Sequence, residues 1–200
     1  MNLVIIQYNA GNIQSVLYAL ERLGITAMVT DEVEKIQSAD RVIFPGVGEA
    51  SSAMEYLTRR NLDKVITGLQ QPVLGICLGM QLLCAYSEEN DTTCLGVFNQ
   101  TVKKMQPTAA TDGVRYKIPQ IGWNNIEQLS SPLFQGVAEN SYCYFVHGYY
   151  VPLDAHTIAT ANYIQPYSAA LHKDNFYGVQ FHPEKSAKTG ATILRNFLAC

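Results

Sequence analysis

A cysteine placed between two glycines is the feature of this sequence that most directly indicates chemistry. Gly75 and Gly79 stand two residues before and two residues after Cys77. This is the spacing of a nucleophile elbow, in which a strand turns abruptly into a helix. Such a turn strains its central residue and crowds the neighbouring positions, so side chains must be absent on either side. The positive end of the helix favours a thiolate, which attacks carbonyl carbon, so we predict that Cys77 is a nucleophile.

A structural role is the alternative for any cysteine, because buried cysteines are commonly inert small hydrophobes. The two glycines favour catalysis at Cys77, since a cysteine that is merely packed needs neither of them. The other four cysteines lack this setting and are expected to be structural: Cys84, Cys94, Cys143 and Cys200.

A cysteine nucleophile needs a general base and a group that orients the base, and one histidine has such a neighbour. His182 follows the apolar segment 176–181, and Glu184 is two residues further on. Positions i and i+2 of an extended chain point to the same side, so Glu184 can accept a hydrogen bond from His182. We expect His182 at the carboxyl edge of the sheet, where ligands bind in open α/β folds and where Cys77 also lies.

Other interpretations of the histidines stay open from the residues alone. A histidine at the end of a strand is often a hydrogen-bonded polar residue without a catalytic role. His-x-Glu also occurs in zinc deaminases, but the Pro-Cys-x-x-Cys segment that they need downstream is absent from the sequence. His147 ends an apolar strand and is either structural or near the site, whereas His156 and His172 are expected at the surface or in packing.

Negative charge that develops on an attacked amide must be met by preorganised donors. The segment Pro45-Gly46-Val47-Gly48 follows a predicted strand and precedes a predicted helix, so its backbone N–H groups are candidates for these donors. A plain turn is the alternative for this tetrapeptide. The N–H of Leu78, at the start of the helix after Cys77, is a second candidate.

Size and composition limit the class of protein. The chain has 200 residues and a net charge of −3, which favour one globular domain over 1–200 and give no reason to expect nucleic acid or a membrane as partner. Five cysteines without a Cys-x-x-Cys pair argue against a disulfide framework and against a zinc cluster, so no metal is expected. The apolar residues 1–6 lack a basic leader and are predicted to be a strand, so the expected location is the reducing cytoplasm.

The first half of the chain alternates between apolar strands and amphipathic helices. Strands are predicted at 3–8, 25–29, 41–44 and 72–76. Helices are predicted between Asn12 and Gly24, over 50–69, and directly after Cys77. Strand and helix in alternation indicate an α/β domain whose parallel sheet is covered on both faces.

In the second half, short strand-like segments follow one another with turn residues between them. They are predicted at 96–105, 121–129, 142–146, 157–162, 169–172 and 176–181. Consecutive strands favour antiparallel pairing grafted onto the parallel sheet. A closing amphipathic helix is predicted between Ala191 and Leu198. The predicted fold class is therefore α/β, with a mostly parallel central sheet flanked by helices and added antiparallel strands in the second half.

Taken together, these segments resemble the class I (triad) glutamine amidotransferases, whose fold is flavodoxin-like. Gly-Ile-Cys-Leu-Gly-Met-Gln at 75–81 resembles the family's elbow, and Gly-Val-Gln-Phe-His-Pro-Glu at 178–184 resembles its His/Glu segment. Four further segments are similar to the glutaminase subunits of imidazole-glycerol-phosphate synthases: Pro-Gly-Val-Gly at 45–48, Ile-Gly-Trp-Asn at 121–124, Tyr-Phe-Val-His at 144–147 and His-Pro-Glu-Lys-Ser at 182–186. The resemblance runs over nearly the whole chain in the same order.

The resemblance implies a reaction and a partner. The protein would hydrolyse L-glutamine without a cofactor and pass the ammonia to a (β/α)8-barrel cyclase subunit, with which it would form a heterodimer. That partner makes imidazole glycerol phosphate for histidine biosynthesis, together with an aminoimidazole carboxamide ribotide that returns to purine synthesis. Matched residue by residue, Cys77 is the nucleophile, His182 the acid and base, and Glu184 the orienting carboxylate.

The resemblance also implies roles for residues around the triad. Gly46 and Gln81 match positions that hold glutamine, and Gly46–Val47 lies at the oxyanion loop. Three residues match positions that face the partner: Trp123, Tyr144 and Lys185. The chain departs from residues frequent in the family at Gln7, Asn9, Gln120 and Gly148, and none of these touches the triad.

Three functions remain as alternatives. The first is a glutaminase subunit, either of this synthase or of another one. The second is a free-standing cysteine hydrolase on the same fold, such as a γ-glutamyl hydrolase, and the third is a catalytically silent binding module. The contexts of Trp123 and Lys185 favour the first alternative, and the intact set of Cys77, His182 and Glu184 argues against the third.

Overall fold

A seven-stranded sheet forms the centre of the fold. The computed structural model describes residues 1–9, 11–107 and 116–200. The strands in these ranges are β1 (Leu3–Ile6), β2 (Met28–Thr30), β3 (Arg41–Gly46), β4 (Val73–Cys77), β5 (Cys84–Ser87), β6 (Thr92–Thr93), β7 (Phe98–Lys104), β8 (Gln120–Ile126), β9 (Ser141–His147), β10 (Tyr149–Tyr150), β11 (Thr157–Asn162), β12 (Pro166–Lys173) and β13 (Phe176–Val179). The α-helices are α1 (Ile13–Glu21), α2 (Val33–Gln37), α3 (Ala50–Arg59), α4 (Leu62–Thr67), α5 (Leu78–Leu83) and α6 (Ala187–Ala199), and 3₁₀ turns cover Pro132–Phe134 and Pro183–Lys185.

The strand order confirms the predicted fold class. Across the central sheet the order is β2-β1-β3-β4-β13-β12-β11. Strands β2, β1, β3, β4 and β13 run parallel, and β12 and β11 continue the sheet in antiparallel pairing. Strands β1 and β4 are apolar and buried along their whole length, as expected for parallel strands covered by helices on both faces.

Each face of the central sheet has its own apolar core. On one face, α1 and α6 bury residues such as Leu20 and Phe197 against the sheet. On the other face, α2, α3 and α4 bury Ile36, Leu57 and Ile66. This packing on both sides fixes the carboxyl ends of β3, β4 and β13, which lie next to one another. In the part of the chain that the structure describes, no helix is long and apolar enough to cross a membrane.

The antiparallel strands predicted for the second half are present, but not all of them extend the central sheet. Strands β11 and β12 join the central sheet, but β8 and β9 pair with each other in a separate sheet. Strands β5, β6, β7 and β10 form a third sheet of four strands. The sequence shows which segments are extended, but packing of side chains decides which strands pair.

Two helices also differ from the prediction. The region 50–69 is interrupted at Asn61, whose left-handed backbone (φ 57°) breaks the helical hydrogen bonding. Helix α5 ends after six residues, where the chain enters β5. A helix this short places a smaller dipole at Cys77 than a long helix would.

Candidate active site

Cys77 lies where β4 ends and α5 begins. Its backbone angles of φ 53° and ψ −108° are rarely adopted by residues other than glycine and cost about 1–3 kcal/mol. A Cβ at Gly75 would lie 2.8 Å from the Met80 nitrogen, and a Cβ at Gly79 would overlap the Phe44 carbonyl oxygen. Both glycines of the motif are therefore required by packing around the turn, and the turn presents Cys77 at the carboxyl edge of the sheet.

His182 and Glu184 follow β13, which is the parallel neighbour of β4, so both strands end at the same edge. Nδ1 of His182 and Oε1 of Glu184 are 2.7 Å apart, and both side chains are buried. The extended geometry predicted for this pair is wrong, because Pro183–Lys185 forms a 3₁₀ turn. The turn, rather than a continuing strand, brings the carboxylate to the imidazole.

Two opposing influences set the charge of His182. Burial lowers its pKa, but hydrogen bonds with Cys77 and Glu184 and the negative charges of both groups outweigh burial and raise the pKa to about 10. The site therefore favours an imidazolium at neutral pH. An imidazolium carries the proton that an amine leaving group requires.

Two polar groups flank the Cys77 sulfur in addition to His182. Sγ lies 3.7 Å from the Val146 carbonyl oxygen and 3.7 Å from Nε2 of Gln180. Nε2 of Gln81 donates to Oε1 of Gln180 at 2.9 Å and to the Tyr149 carbonyl at 3.1 Å. Gln180 stands within the His/Glu segment, yet sequence reasoning gave it no role, because nothing local distinguishes it from any polar residue at a strand end.

Asn12 is a further contact of the triad that sequence reasoning missed. Its Nδ2 donates to Oε1 of Glu184 and lies 3.4 Å from Nδ1 of His182. Asn12 precedes α1 in a left-handed conformation (φ 76°), which asparagine tolerates better than most residues. Oε2 of Glu184 is buried and has no hydrogen-bond partner among the described residues, so Oε1 carries the orienting contacts.

The loop after β3 lies against the elbow. Gly46 pairs with Cys77 across β3 and β4, and a Cβ on Gly46 would lie 2.9 Å from Leu78 Cβ and would overlap the Tyr8 hydroxyl. That hydroxyl donates to the Pro45 carbonyl at 2.7 Å. Burial and the nearby charge of Cys77 raise the pKa of Tyr8, so its hydroxyl remains a donor. Tyr8 therefore holds the start of the loop in place. Further along the loop, Gly48 has a φ of 112°, a conformation that residues with a side chain rarely adopt.

A pocket of about 450 Å³ opens at Cys77 and is large enough for an amino acid. It is lined by Val47, Gly48, Cys77, Leu78, Gln81, Glu89, Pro119, Val146, His147, Gly148, Tyr149, His182 and Lys185. Glu89 was not identified from the sequence, since nothing near it marks a site. Gly46 lies close to Leu78 but is not part of the lining. Within the described ranges, no group of three or more histidine, cysteine, aspartate or glutamate side chains is arranged to hold a metal ion.

His147 lies at this pocket with a fixed protonation state. Burial lowers its pKa to about 4, so the ring is neutral at pH 7. Its Nδ1 lies 2.7 Å from the Tyr149 carbonyl and therefore carries the proton that it donates. The two histidines of the site thus differ in charge, because burial lowers the pKa of both but only His182 has neighbours, Cys77 and Glu184, that outweigh it.

Two of the three residues matched to a partner-facing surface lie together on β8 and β9, whereas Lys185 lies in the 3₁₀ turn after β13 and lines the pocket. Trp123 and Tyr144 are paired across these strands, with ring centroids 5.9 Å apart, and Trp123 is 53% exposed. Ile121 and Tyr142 on the same strands are 64% and 61% exposed. We call these four residues the aromatic patch. Large apolar side chains exposed side by side are typical of protein interaction sites.

Comparisons with known proteins identify the family of this chain. The family model of glutamine amidotransferase class-I matches residues 4–200. The chain is 54% identical over 198 residues to "Imidazole glycerol phosphate synthase subunit HisH" of Bacteroides thetaiotaomicron, with 99% of each chain covered. It is 52% identical over 198 residues to the protein of the same name from Bacteroides fragilis, again with 99% of each chain covered.

Solved structures show the same fold at lower sequence similarity. One glutamine amidotransferase superimposes with a TM-score of 0.72 at 18% identity, covering 98% of this chain and 97% of that chain. Another, from Thermotoga maritima, superimposes with a TM-score of 0.60 at 17% identity, covering 100% of this chain and 83% of that chain. The fold, the elbow and the full-length relatives lead to one assignment. The chain belongs to the class I glutamine amidotransferases and, within them, to the family of the HisH subunits of imidazole glycerol phosphate synthase.

Proposed function

We propose that this chain, acting as one domain over 1–200, is a glutaminase subunit that hydrolyses L-glutamine to glutamate and ammonia through Cys77, His182 and Glu184. The observation that carries the proposal is the buried His182–Glu184 pair beside a strained cysteine at the mouth of an amino-acid-sized pocket. A strained nucleophile, a charged histidine and a carboxylate that orients it are the parts that acyl transfer requires.

The first half of the reaction releases ammonia. The Cys77 thiolate attacks the side-chain amide carbon of glutamine, and the carbonyl oxygen becomes an oxyanion. The His182 imidazolium gives its proton to the amide nitrogen, the C–N bond breaks, and ammonia leaves a thioester on Cys77. Glu184 keeps the imidazole oriented and stabilises its charged form, as the contact of 2.7 Å allows.

The second half regenerates the enzyme. Neutral His182 now accepts a proton from water, and the hydroxide attacks the thioester carbon. The C–S bond breaks, glutamate leaves, and the thiolate and the imidazolium are restored together. Each half-reaction moves one proton through His182, so the pair begins and ends in the same charge state.

Backbone donors and polar side chains at the pocket would hold the substrate. The N–H groups of Val47 and Leu78 are the proposed oxyanion donors, because both residues line the pocket beside Cys77. Glu89 is an acidic side chain in the lining and would attract the ammonium group of glutamine. The Gln81 side-chain nitrogen is already committed to two carbonyl oxygens, so its own Oε1 would face the substrate.

The ammonia would pass to a (β/α)8-barrel cyclase subunit in a heterodimer. The relatives' names describe them as subunits of imidazole glycerol phosphate synthase, which supports a second subunit here. The aromatic patch, with Lys185 at the pocket rim, is the proposed contact surface. In bulk water ammonia would be protonated and lost as a nucleophile, so direct transfer to the cyclase suits a component of histidine biosynthesis.

The test is steady-state glutamate production with and without the barrel partner and its nucleotide substrate. We expect the partner to raise the rate, because the two glycines around Val47 let the oxyanion peptide rotate and the partner selects the state that points at the substrate. Equal rates with and without the partner would identify a free-standing hydrolase. Absence of glutamate formation under both conditions would indicate a binding module.

A further inference from the structure

Gln180 is a fully buried amide whose nitrogen faces the Cys77 sulfur at 3.7 Å. We propose that Gln180 is a catalytic residue that stabilises the Cys77 thiolate by donating a hydrogen bond to Sγ, and that Gln81 positions it. The inference deepens the proposed function, since it takes Cys77 as the nucleophile. Its role differs from that of the triad, because an amide has no proton to give or accept during the reaction.

The neighbouring amide determines which end of Gln180 faces the sulfur. Nε2 of Gln81 donates to Oε1 of Gln180 at 2.9 Å and to the Tyr149 carbonyl at 3.1 Å. If the Gln180 amide were reversed, its NH₂ group would meet the NH₂ group of Gln81, and two donors would be left facing each other in a buried place. The contact with Gln81 therefore directs the N–H of Gln180 towards Cys77.

The two polar contacts of the sulfur favour opposite protonation states. The Val146 carbonyl oxygen accepts a hydrogen bond from the thiol and offers nothing to a thiolate. The Gln180 amide donates, so its contact is strongest when the sulfur is negative. Because Gln180 is fully buried, this donor acts without competition from solvent.

A donor that is independent of the histidine is useful because the charge of His182 changes during the reaction. His182 is charged when the thiolate attacks, neutral once ammonia has left, and charged again when the thiolate leaves the thioester. Gln180 donates to the sulfur throughout both half-reactions, because its charge never changes.

Several titratable groups also surround Cys77. His182 and Tyr8 both lie near enough for Cys77 to raise their pKa values, and Glu89, His147 and Lys185 line the same pocket. A substitution at Gln180 leaves all of these groups in place. The difference in the pH dependence of Cys77 reactivity between the native protein and the variant therefore measures the contribution of the Gln180 amide alone.

The experiment measures the rate at which iodoacetamide alkylates Cys77 as a function of pH, with the modified peptide resolved by mass spectrometry. Alkylation at sulfur forms no oxyanion, so it reports thiolate formation and not the rest of the site. Gln180→Met keeps the volume but removes the donor. We expect the midpoint of its alkylation profile to rise by about one to two pH units, since a hydrogen bond to a charged group is worth that much.

A second variant tests whether Gln81 positions Gln180, and it keeps the proposal testable if Gln180→Met folds poorly. Gln81→Met leaves Gln180 intact but frees its amide to rotate, so the midpoint should rise by a smaller amount. Gln71→Met is the matched control, because Gln71 is a partly buried glutamine outside the pocket lining whose amide donates to the Ile36 carbonyl in helix α2. Its midpoint should equal that of the native protein.

Glutamine hydrolysis provides the second readout. In Gln180→Met the acid limb of the kcat/KM profile should move upward by the same number of pH units as the alkylation midpoint, with partial recovery of rate at alkaline pH. An alkylation midpoint equal to the native value in both Gln180→Met and Gln81→Met would overturn the proposal. If native enzyme with its partner produces no glutamate, the proposed function fails, while the alkylation midpoints still decide the role of Gln180.

Discussion

At the scale of single residues, the site depends on charge placed in a buried environment. The imidazolium of His182 is stable there because Cys77 and Glu184 supply negative charge that outweighs the cost of burial. Asn12 donates to the same oxygen of Glu184 that contacts His182. Cys77 and Glu184 together hold His182 in its charged form, so removal of either one should lower the pKa of His182.

Cys77→Ala should abolish glutamine hydrolysis, with a loss of several orders of magnitude, because no covalent intermediate can form. The fold should persist, since the substitution removes only the sulfur atom from the turn. Glutamate release measured with the partner present checks the rate, and circular dichroism checks the fold. Cys94→Ala is the control, as Cys94 is a buried cysteine outside the pocket lining. Activity within about tenfold of native in Cys77→Ala would contradict the assignment.

Glu184→Gln should lower kcat with little change in KM, because the amide keeps the shape of the carboxylate but cannot stabilise the imidazolium. The folded pKa of His182 is raised to about 10, above the ordinary value of about 6.5. The stabilisation from the charged ring is therefore complete below about pH 6.5 and is lost as pH rises through about 10.

Thermal unfolding measured across that pH range checks the predicted direction of the change in stability. The native protein should lose stability as the pH rises through the range, and Glu184→Gln should lose less, because its folded pKa lies closer to the ordinary value. An unchanged kcat together with a large rise in KM would instead mean that Glu184 binds substrate.

At the scale of elements, close packing between β3, β4 and α5 sets the geometry of the site. Each glycine of the elbow lies against backbone atoms, the Met80 nitrogen at Gly75 and the Phe44 carbonyl at Gly79, and these neighbours cannot move aside as a flexible side chain could. The Tyr8 hydroxyl, on the chain that leaves β1, fastens the end of β3 through the Pro45 carbonyl. Three segments distant in sequence thereby support one strained turn.

Gly79→Ala should destabilise the protein by about 3 kcal/mol, because the new methyl group would overlap the Phe44 carbonyl oxygen. Urea unfolding of the two proteins measures the loss. Gly148→Ala is the matched control, since its nearest neighbour would be Pro119 Cβ at an ordinary distance of 3.7 Å. If both alanine variants unfold at the native midpoint, then the tight contact at Gly79 does not constrain the turn.

At the scale of the whole molecule, the pocket and the aromatic patch share strand β9. His147 ends the strand at the pocket, and Tyr144 on the same strand contacts Trp123. The backbone N–H of His182 also donates to the Tyr144 carbonyl at 2.8 Å. A partner bound at the patch would therefore contact a strand that is hydrogen-bonded to His182.

Trp123→Ala should weaken binding of the barrel partner by about 30-fold or more, which is the loss typical of an aromatic residue at the centre of an interface. Titration calorimetry measures the affinity. Leu153→Ala is the control, because Leu153 is a comparably exposed apolar residue outside the patch, 47% exposed against 53% for Trp123. Equal affinities for the two variants would remove the aromatic patch from the interface.

The sequence by itself located the features that depend only on residues close together in the chain. Glycines at fixed spacing around Cys77 indicated the elbow, and the apolar strand before His182 placed this histidine at a sheet edge. The alternation of strands and helices could be predicted, because the spacing of apolar residues that indicates each element lies within that element's own sequence. These signals need no knowledge of what lies across the sheet.

The tertiary structure decided everything that depends on residues far apart in the chain. Gln180 meets Cys77 across a separation of 103 positions, and Asn12 meets Glu184 across 172. Neither residue has a local signal, because an amide gains its role only from the atoms that folding places beside it. Strand partners such as β8 and β9 were likewise set by packing, because the sequence of an extended segment does not indicate which other strand it pairs with.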